Sequence, residues 1–162
     1  MEKKIVVLGV SGSGKSLIGK RLADALGYPF FDGDDYHNSS NIEKMSKGIP
    51  LSDQDRFGWL STLNALLKNH ECAVVACSGL KPEYRDMLKK DLDDVSMLYL
   101  KGDFDTIWQR HQKRNGHYFK GQDMLKSQFA ALIEPSQSEA FSLDISQDAD
   151  AVFQQALAYI KQ

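Results

Sequence analysis

The chain has 162 residues, of which 42% are hydrophobic and 26% charged, with a formal net charge of -2. That length suits one domain with a real core, and the composition is ordinary for a globular protein in water. The small negative charge argues against a protein that holds nucleic acid by a broad basic field, and no apolar run approaches the roughly 20 residues of a membrane span.

The opening residues Met1-Glu2-Lys3-Lys4 lead into a strand without an apolar export segment, which sets the expectation of a cytoplasmic protein. Residues 4–8 are a nearly continuous β-branched run, the pattern of a strand buried on both faces of a parallel sheet. Next come Gly9-x-x-x-x-Gly14-Lys15-Ser16 and an amphipathic helix pattern ending at Gly27. Strand, glycine loop and helix in this order form the phosphate-binding loop signature. Gly9, Gly12 and Gly14 let successive backbone amides point at one anion, and the following helix aims its positive end there too. Lys15 adds a mobile charge for the β- and γ-phosphates, and Ser16 offers a hydroxyl to Mg²⁺. The loop from Gly9 through Val10, Ser11, Gly12, Ser13, Gly14, Lys15 and Ser16 to Leu17 is therefore assigned to a nucleoside triphosphate.

Residues 29–32 read as a short strand ending in the acid cluster Asp32-Gly33-Asp34-Asp35. A carboxylate at a strand end beside the phosphate loop can hold Mg²⁺, and Asp32 leaves the strand first. If the segment stays extended, Asp34 projects the same way and can take the proton of an acceptor hydroxyl. Asp35 reads better as a cap or turn residue.

A short helix is expected over 41–47. Ser52 and Asp55 form a near capping box for a long helix through Trp59, Leu60, Leu63, Leu66 and Leu67. Residues 72–77 are the third strand and end in Ser78-Gly79. Pro82 starts a helix expected to run to about residue 91. A fourth strand follows at 95–100 and a helix at 103–113. Residues 114–122 break the pattern with two glycines and several cations, and read as a lid within about 110–124. A helix at 123–133, a strand at 142–145 and a closing helix from about residue 148 complete the chain. Alternating strands and helices imply an α/β fold, a parallel sheet with helices on both faces, whose ligands bind at the carboxyl ends of the strands.

Several cations compete for roles at that edge. Arg56, Lys81 and Arg85 could face an anionic acceptor, where arginine suits a carboxylate, or could form surface ion pairs. Arg110 and Arg114 lie four residues apart and enter the lid, where cations stabilise charge on a moving phosphoryl group. His37 and His117 flank the crevice. Cys72 and Cys77 read as packing residues, and no cysteine–histidine cluster has zinc spacing.

Longer strings narrow this further. They are Asp32-Gly33-Asp34-Asp35-x-His37, Asn41-Ile42-Glu43-Lys44-Met45, Gly48-x-Pro50-Leu51-x-Asp53-x-Asp55-Arg56 and Trp59-Leu60. With them come Ala76-Cys77-Ser78-x-Leu80-Lys81-x-x-Tyr84-Arg85-Asp86, Tyr99-Leu100-Lys101-Gly102, Arg114-x-x-His117-x-Phe119, Gln128-Phe129 and Leu132-x-Glu134-Pro135. Together they resemble the gluconate kinases, over nearly the whole chain. Asn38, Gly58 and Gly79 depart from that pattern, where proline, proline and alanine are usual.

The resemblance implies one P-loop kinase domain over residues 1–162, like the shikimate kinases. It implies a three-layer α/β/α fold, a five-stranded parallel sheet in the order 2-3-1-4-5 and a mobile lid. It implies transfer of the ATP γ-phosphate to the 6-hydroxyl of D-gluconate, with Mg²⁺, in a cytoplasmic homodimer. Asp34, His37, Arg56, Ser78, Gly79, Lys81, Arg85 and His117 would be substrate-side, within a binding segment at about 33–58 and beyond. Lys15, Asp34 and Arg114 would be catalytic, Arg110 would serve the nucleotide, and Ser16 and Asp32 the metal. A related kinase for another small sugar acid is the alternative. A GTPase or ATPase is a rival without a guanine-reading Asn-Lys-x-Asp motif, and a binding module without catalysis is the third reading.

Overall fold

The structure, a computed structural model, describes residues 3–115 and 120–162. Five strands, β1 (Lys4–Leu8), β2 (Phe30–Asp32), β3 (Ala73–Cys77), β4 (Val95–Lys101) and β5 (Phe141–Asp144), form one parallel sheet in the order β2-β3-β1-β4-β5. The helices are α1 (Lys15–Leu26), α2 (Ser39–Ser46), α3 (Asp53–Lys68), α4 (Pro82–Leu88), α5 (Phe104–Asn115), α6 (Lys120–Ala131) and α7 (Ala149–Ile160). This is the expected three-layer α/β/α arrangement. Strands β1 and β3 lie at its centre, and Ile5, Val6, Val7 and all of β3 are sealed from water. That seal is why both sequences read as unbroken apolar runs.

Register places the site. Leu8, the last residue of β1, is level with Cys77 of β3 and Tyr99 of β4, and Asp32 of β2 is level with Ala76. The phosphate loop, the acid cluster and Ser78 therefore leave the sheet side by side.

Local chemistry fixes most helix starts. Ser52 and Asp55 form a full capping box at α3, with each side chain bonded to the other's backbone amide. The Asp55 carboxylate also takes Lys44 Nζ of α2 at 2.8 Å. The lysine bond and the Ser52 amide hold its pKa down to about 2. Asn38 Oδ1 accepts the Asn41 amide at 2.8 Å and caps α2, which begins two residues earlier than expected.

Three sequence expectations need correction. Helix α4 stops at Leu88, not near residue 91, because Asn64 Nδ2 of α3 binds the carbonyls of Leu88 and Lys90 at 2.8 and 3.1 Å. Asp91 then turns the chain with φ of 61°. The segment after β2 is not extended: Gly33–Tyr36 is a 3-10 turn capped by Asp32. The helix α5 runs on to Asn115 and α6 begins at Lys120, so residues 114–115 and 120–122 of the expected break are helical. Residues 116–119, His117 among them, and the side chain of Arg114 lie outside the described residues.

Candidate active site

The phosphate loop runs from the end of β1 to the first turn of α1. Its turn is closed by the Ser13 amide donating to Val10 O at 3.1 Å. Lys15 is 7% exposed, and among the described residues its ammonium has no ion-pair or hydrogen-bond partner. Ser16 Oγ donates to Asp32 Oδ2 at 2.7 Å, and Asp32 Oδ1 accepts the Asp34 amide at 3.0 Å. The pair expected to hold metal thus comes together from the first turn of α1 and the end of β2, and is locked to the backbone of Asp34. A hydroxyl and a carboxylate suit Mg²⁺, which prefers hard oxygen ligands and completes its shell with water and phosphate oxygens.

Beside the loop lies a cavity of about 370 Å³. Ser11 and Lys15 line its donor side. Asp34, His37, Met45, Gly48 and Leu51 come from the segment after β2, Arg56 and Trp59 from α3, Ser78 and Leu80 from the exit of β3, and Met124 and Gln128 from α6.

The walls are held by specific bonds. Trp59 Nε1 donates to Gly33 O at 2.7 Å, and a side chain at Gly33 would bring its Cβ within 2.4 Å of Ala76 O. Only glycine lets the acid turn lie so close to β3. The His37 ring stacks on Trp59 with centroids 4.1 Å apart and planes at 19°. Its Nδ1 lies 3.3 Å from Asn41 Nδ2, whose amide also donates to Asp55 O at 2.8 Å. An amide that donates to Nδ1 leaves the ring proton on Nε2. Burial lowers the His37 pKa, against the opposing pull of Asp34 and with the push of Arg56. The neutral ring is therefore the resident form.

Arg56 Nη1 donates to Tyr84 Oη at 3.0 Å, and its guanidinium sits 5.2 Å from the Tyr84 ring centroid. Tyr84 Oη in turn donates to Asp53 Oδ1, which also takes Lys81 Nζ at 3.3 Å. The bonds from Tyr84 and Lys81 hold the Asp53 carboxyl below its usual range.

Similarity to known proteins agrees with this geometry. Residues 11–161 match the family model for shikimate kinase. The thermosensitive gluconokinase of Escherichia coli K12 is 46% identical over 159 residues, covering 94% of this chain and 84% of that one. The thermoresistant gluconokinase of the same organism is 43% identical, covering 96% and 92%. The crystal structure of a gluconokinase from Sinorhizobium meliloti 1021 superposes with a TM-score of 0.91 at 39% identity, covering 97% of this chain and 90% of that one. The chain belongs to the gluconokinase family.

Of the substrate-side residues expected of a gluconokinase, the structure brings Asp34, His37, Arg56 and Ser78 to the cavity. Gly79, Lys81 and Arg85 do not line it. Arg85 is 1% exposed, with Nε on Glu139 at 3.0 Å and Nη1 on Gly79 O at 2.7 Å. Its charge is used inside the fold, to hold the chain that carries Ser78. Lys81 turns away to Asp53. Arg110 Nη2 bonds Gln147 O at 3.2 Å, between β5 and α7 and apart from the cavity. Gln128 of α6, to which no role is assigned from sequence, accepts the Ser11 amide of the phosphate loop on its Oε1 at 2.7 Å. Trp59 and Met124 reach the cavity, and Tyr84 reaches Arg56, by packing across helices, which leaves no local signal.

Proposed function

We propose that the chain transfers the γ-phosphate of ATP to the 6-hydroxyl of D-gluconate, giving ADP and 6-phospho-D-gluconate. The observation that carries this reading is the cavity shared by the phosphate loop and the acid turn. Lys15 of the triphosphate loop lines the same cavity as Asp34 and Arg56, so a bound triphosphate and an anionic acceptor would meet there.

In the reaction the acceptor oxygen forms a bond to the γ-phosphorus, the bond from that phosphorus to the β-phosphate oxygen breaks, and the hydroxyl proton passes to the Asp34 carboxylate. Lys15 and the loop amides hold the phosphates. Ser16 and Asp32 would hold Mg²⁺, which offsets phosphate charge when bound. Arg56 takes the acceptor's carboxylate and its neighbours exclude water. His37, with its Nε2 proton, and Ser78 offer donors or acceptors to the polyol chain. The end of α5 and the start of α6 belong to the segment read as a lid, to which Arg114 and His117 would bring charge over the triphosphate. Gene products of this type would work as homodimers in the cytoplasm, and light scattering after gel filtration would read the assembly.

The decisive experiment is a coupled ADP-release assay over a panel of sugar acids that includes gluconate and shikimate. Turnover strongly favouring gluconate is expected. Phosphate release at one rate with and without any acceptor would overturn the reading in favour of a hydrolase.

A further inference from the structure

We propose that Tyr84 and Asp53 are positioning residues that hold Arg56 for the acceptor's carboxylate and so set the preference for an acid over the matching polyol. This rests on the reading of Arg56 given above and extends it to residues outside the cavity wall.

The geometry is a relay. Arg56 and Asp53 share the first turn of α3, but the two charges are not joined to each other. Among the described residues the Arg56 side chain bonds the Tyr84 hydroxyl at 3.0 Å, not a carboxylate. The hydroxyl gives its own hydrogen to Asp53, so toward Arg56 it can only accept. Tyr84 is 1% exposed, which fixes the ring and hence the direction of that lone pair.

The charges around this relay divide unequally. Asp53 is offset by Lys81 at 3.3 Å, and Lys81 also lies 5.6 Å from the Tyr84 ring centroid. Arg56 is anchored by a neutral oxygen and by the ring face, so its positive charge is not cancelled. A carboxylate bonded straight to Arg56 would compete with the acceptor's own carboxylate for the same donors. A hydroxyl does not. The arrangement fixes the guanidinium and keeps it available, which lowers the ordering cost of binding an anion. It also accounts for Lys81 standing behind the site: it balances Asp53 there.

The test follows ADP formation with gluconate and with D-glucitol, which has a hydroxymethyl group in place of the carboxylate. The proteins are wild type, Tyr84→Phe, Arg56→Ala and the double variant. Tyr84→Phe should raise the KM for gluconate about ten-fold, as expected for a lost hydrogen bond to a charged group, with kcat and the KM for ATP moved by less than about two-fold. The ratio of gluconate to glucitol turnover should fall in parallel. In the Arg56→Ala background the same change should add little, because Tyr84 acts through Arg56. An unchanged gluconate KM in Tyr84→Phe, or a loss of equal size in the Arg56→Ala background, overturns the proposal. If Tyr84→Phe folds poorly, Asp53→Ala at the exposed start of α3 runs the same cycle with the same criteria. Failure of the functional reading looks different, since wild type would then ignore gluconate. In that case a crystal structure of Tyr84→Phe decides: a displaced Arg56 guanidinium supports the positioning role, and one left in its present place overturns it.

Discussion

Asp34 is tied to the phosphate-loop side of the cavity by its own backbone. Its amide donates to Asp32 Oδ1, and Asp32 holds Ser16 through the other oxygen. Its backbone is thus fixed relative to the phosphate loop while its side chain lines the cavity. Asp34→Asn keeps the shape and removes the proton acceptor. A fall in kcat of about 10²–10⁴-fold is expected, with ATP affinity by calorimetry unchanged. A rate equal to wild type would end the base role. His37 makes a prediction of the opposite kind, about stability. Its folded pKa lies below the ordinary histidine value of 6.5 because burial opposes the charged ring. As pH falls below about 6.5 the unfolded chain takes up the proton first, so the folded state loses stability on the acid side. Asp34 and Arg56 face the ring and partly offset each other. Thermal midpoints read from pH 8 downward should decline below about 6.5, and the decline should be shallower in His37→Gln. Identical slopes in the two proteins would remove His37 as the cause.

Helix α3 shows what a sequence does and does not disclose at the scale of one element. Its start was readable because the capping box is a local code: Ser52 and Asp55 satisfy each other's amides with no help from the rest of the fold. The end of α4 was not, because it is set by Asn64, 24 residues earlier than Leu88. The turn at Gly33–Tyr36 was missed for a similar reason. It is pinned by Trp59 from α3 and by the closeness of Ala76 in β3, both distant in sequence. The phosphate loop and the Ser16–Asp32 pair were legible because strand ends in a parallel sheet converge by topology alone. The roles of Tyr84 and Gln128 were not, since they depend on how α4 and α6 are seated. Two glycines that depart from the family pattern separate cleanly on this structure. Gly58 lies inside α3 with nothing within 4 Å of an added Cβ, so Gly58→Ala should stabilise by about 1 kcal/mol. Gly79 has φ of 51°, and an added Cβ would meet Leu8 Cδ2 at 2.4 Å, so Gly79→Ala should destabilise by at least about 1–2 kcal/mol. Urea unfolding of both variants checks the signs; the same sign in both would refute this account of the backbone.

At the scale of the molecule, function and stability pull against each other around one cavity. Residues from β1's loop, β2's turn, α3, the exit of β3 and α6 meet there, so the site exists only in the complete fold. Two of its cations, Lys15 and Arg56, have no carboxylate partner among the described residues. Pointing a cation into the cavity without a carboxylate beside it leaves like charges facing one another there, and an anionic ligand relieves that repulsion. Lys15→Met keeps an unbranched chain of similar reach and removes the charge. The ligand-free protein should therefore melt higher than wild type while losing the donor substrate. For wild type, Mg²⁺-ATP at 100 times its dissociation constant adds about 2.7 kcal/mol. In a chain of this size that corresponds to a rise in Tm of about 5–11 °C, taking about 2–4 °C per kcal/mol. In Lys15→Met the rise should shrink to less than about 2 °C at the same ATP concentration, given the loss of a full charge from the phosphate site. Scanning calorimetry with and without nucleotide reads both quantities in one experiment. A variant that melts lower but keeps the full ATP shift would mean that Lys15 serves the fold and that the triphosphate is held by the loop amides alone.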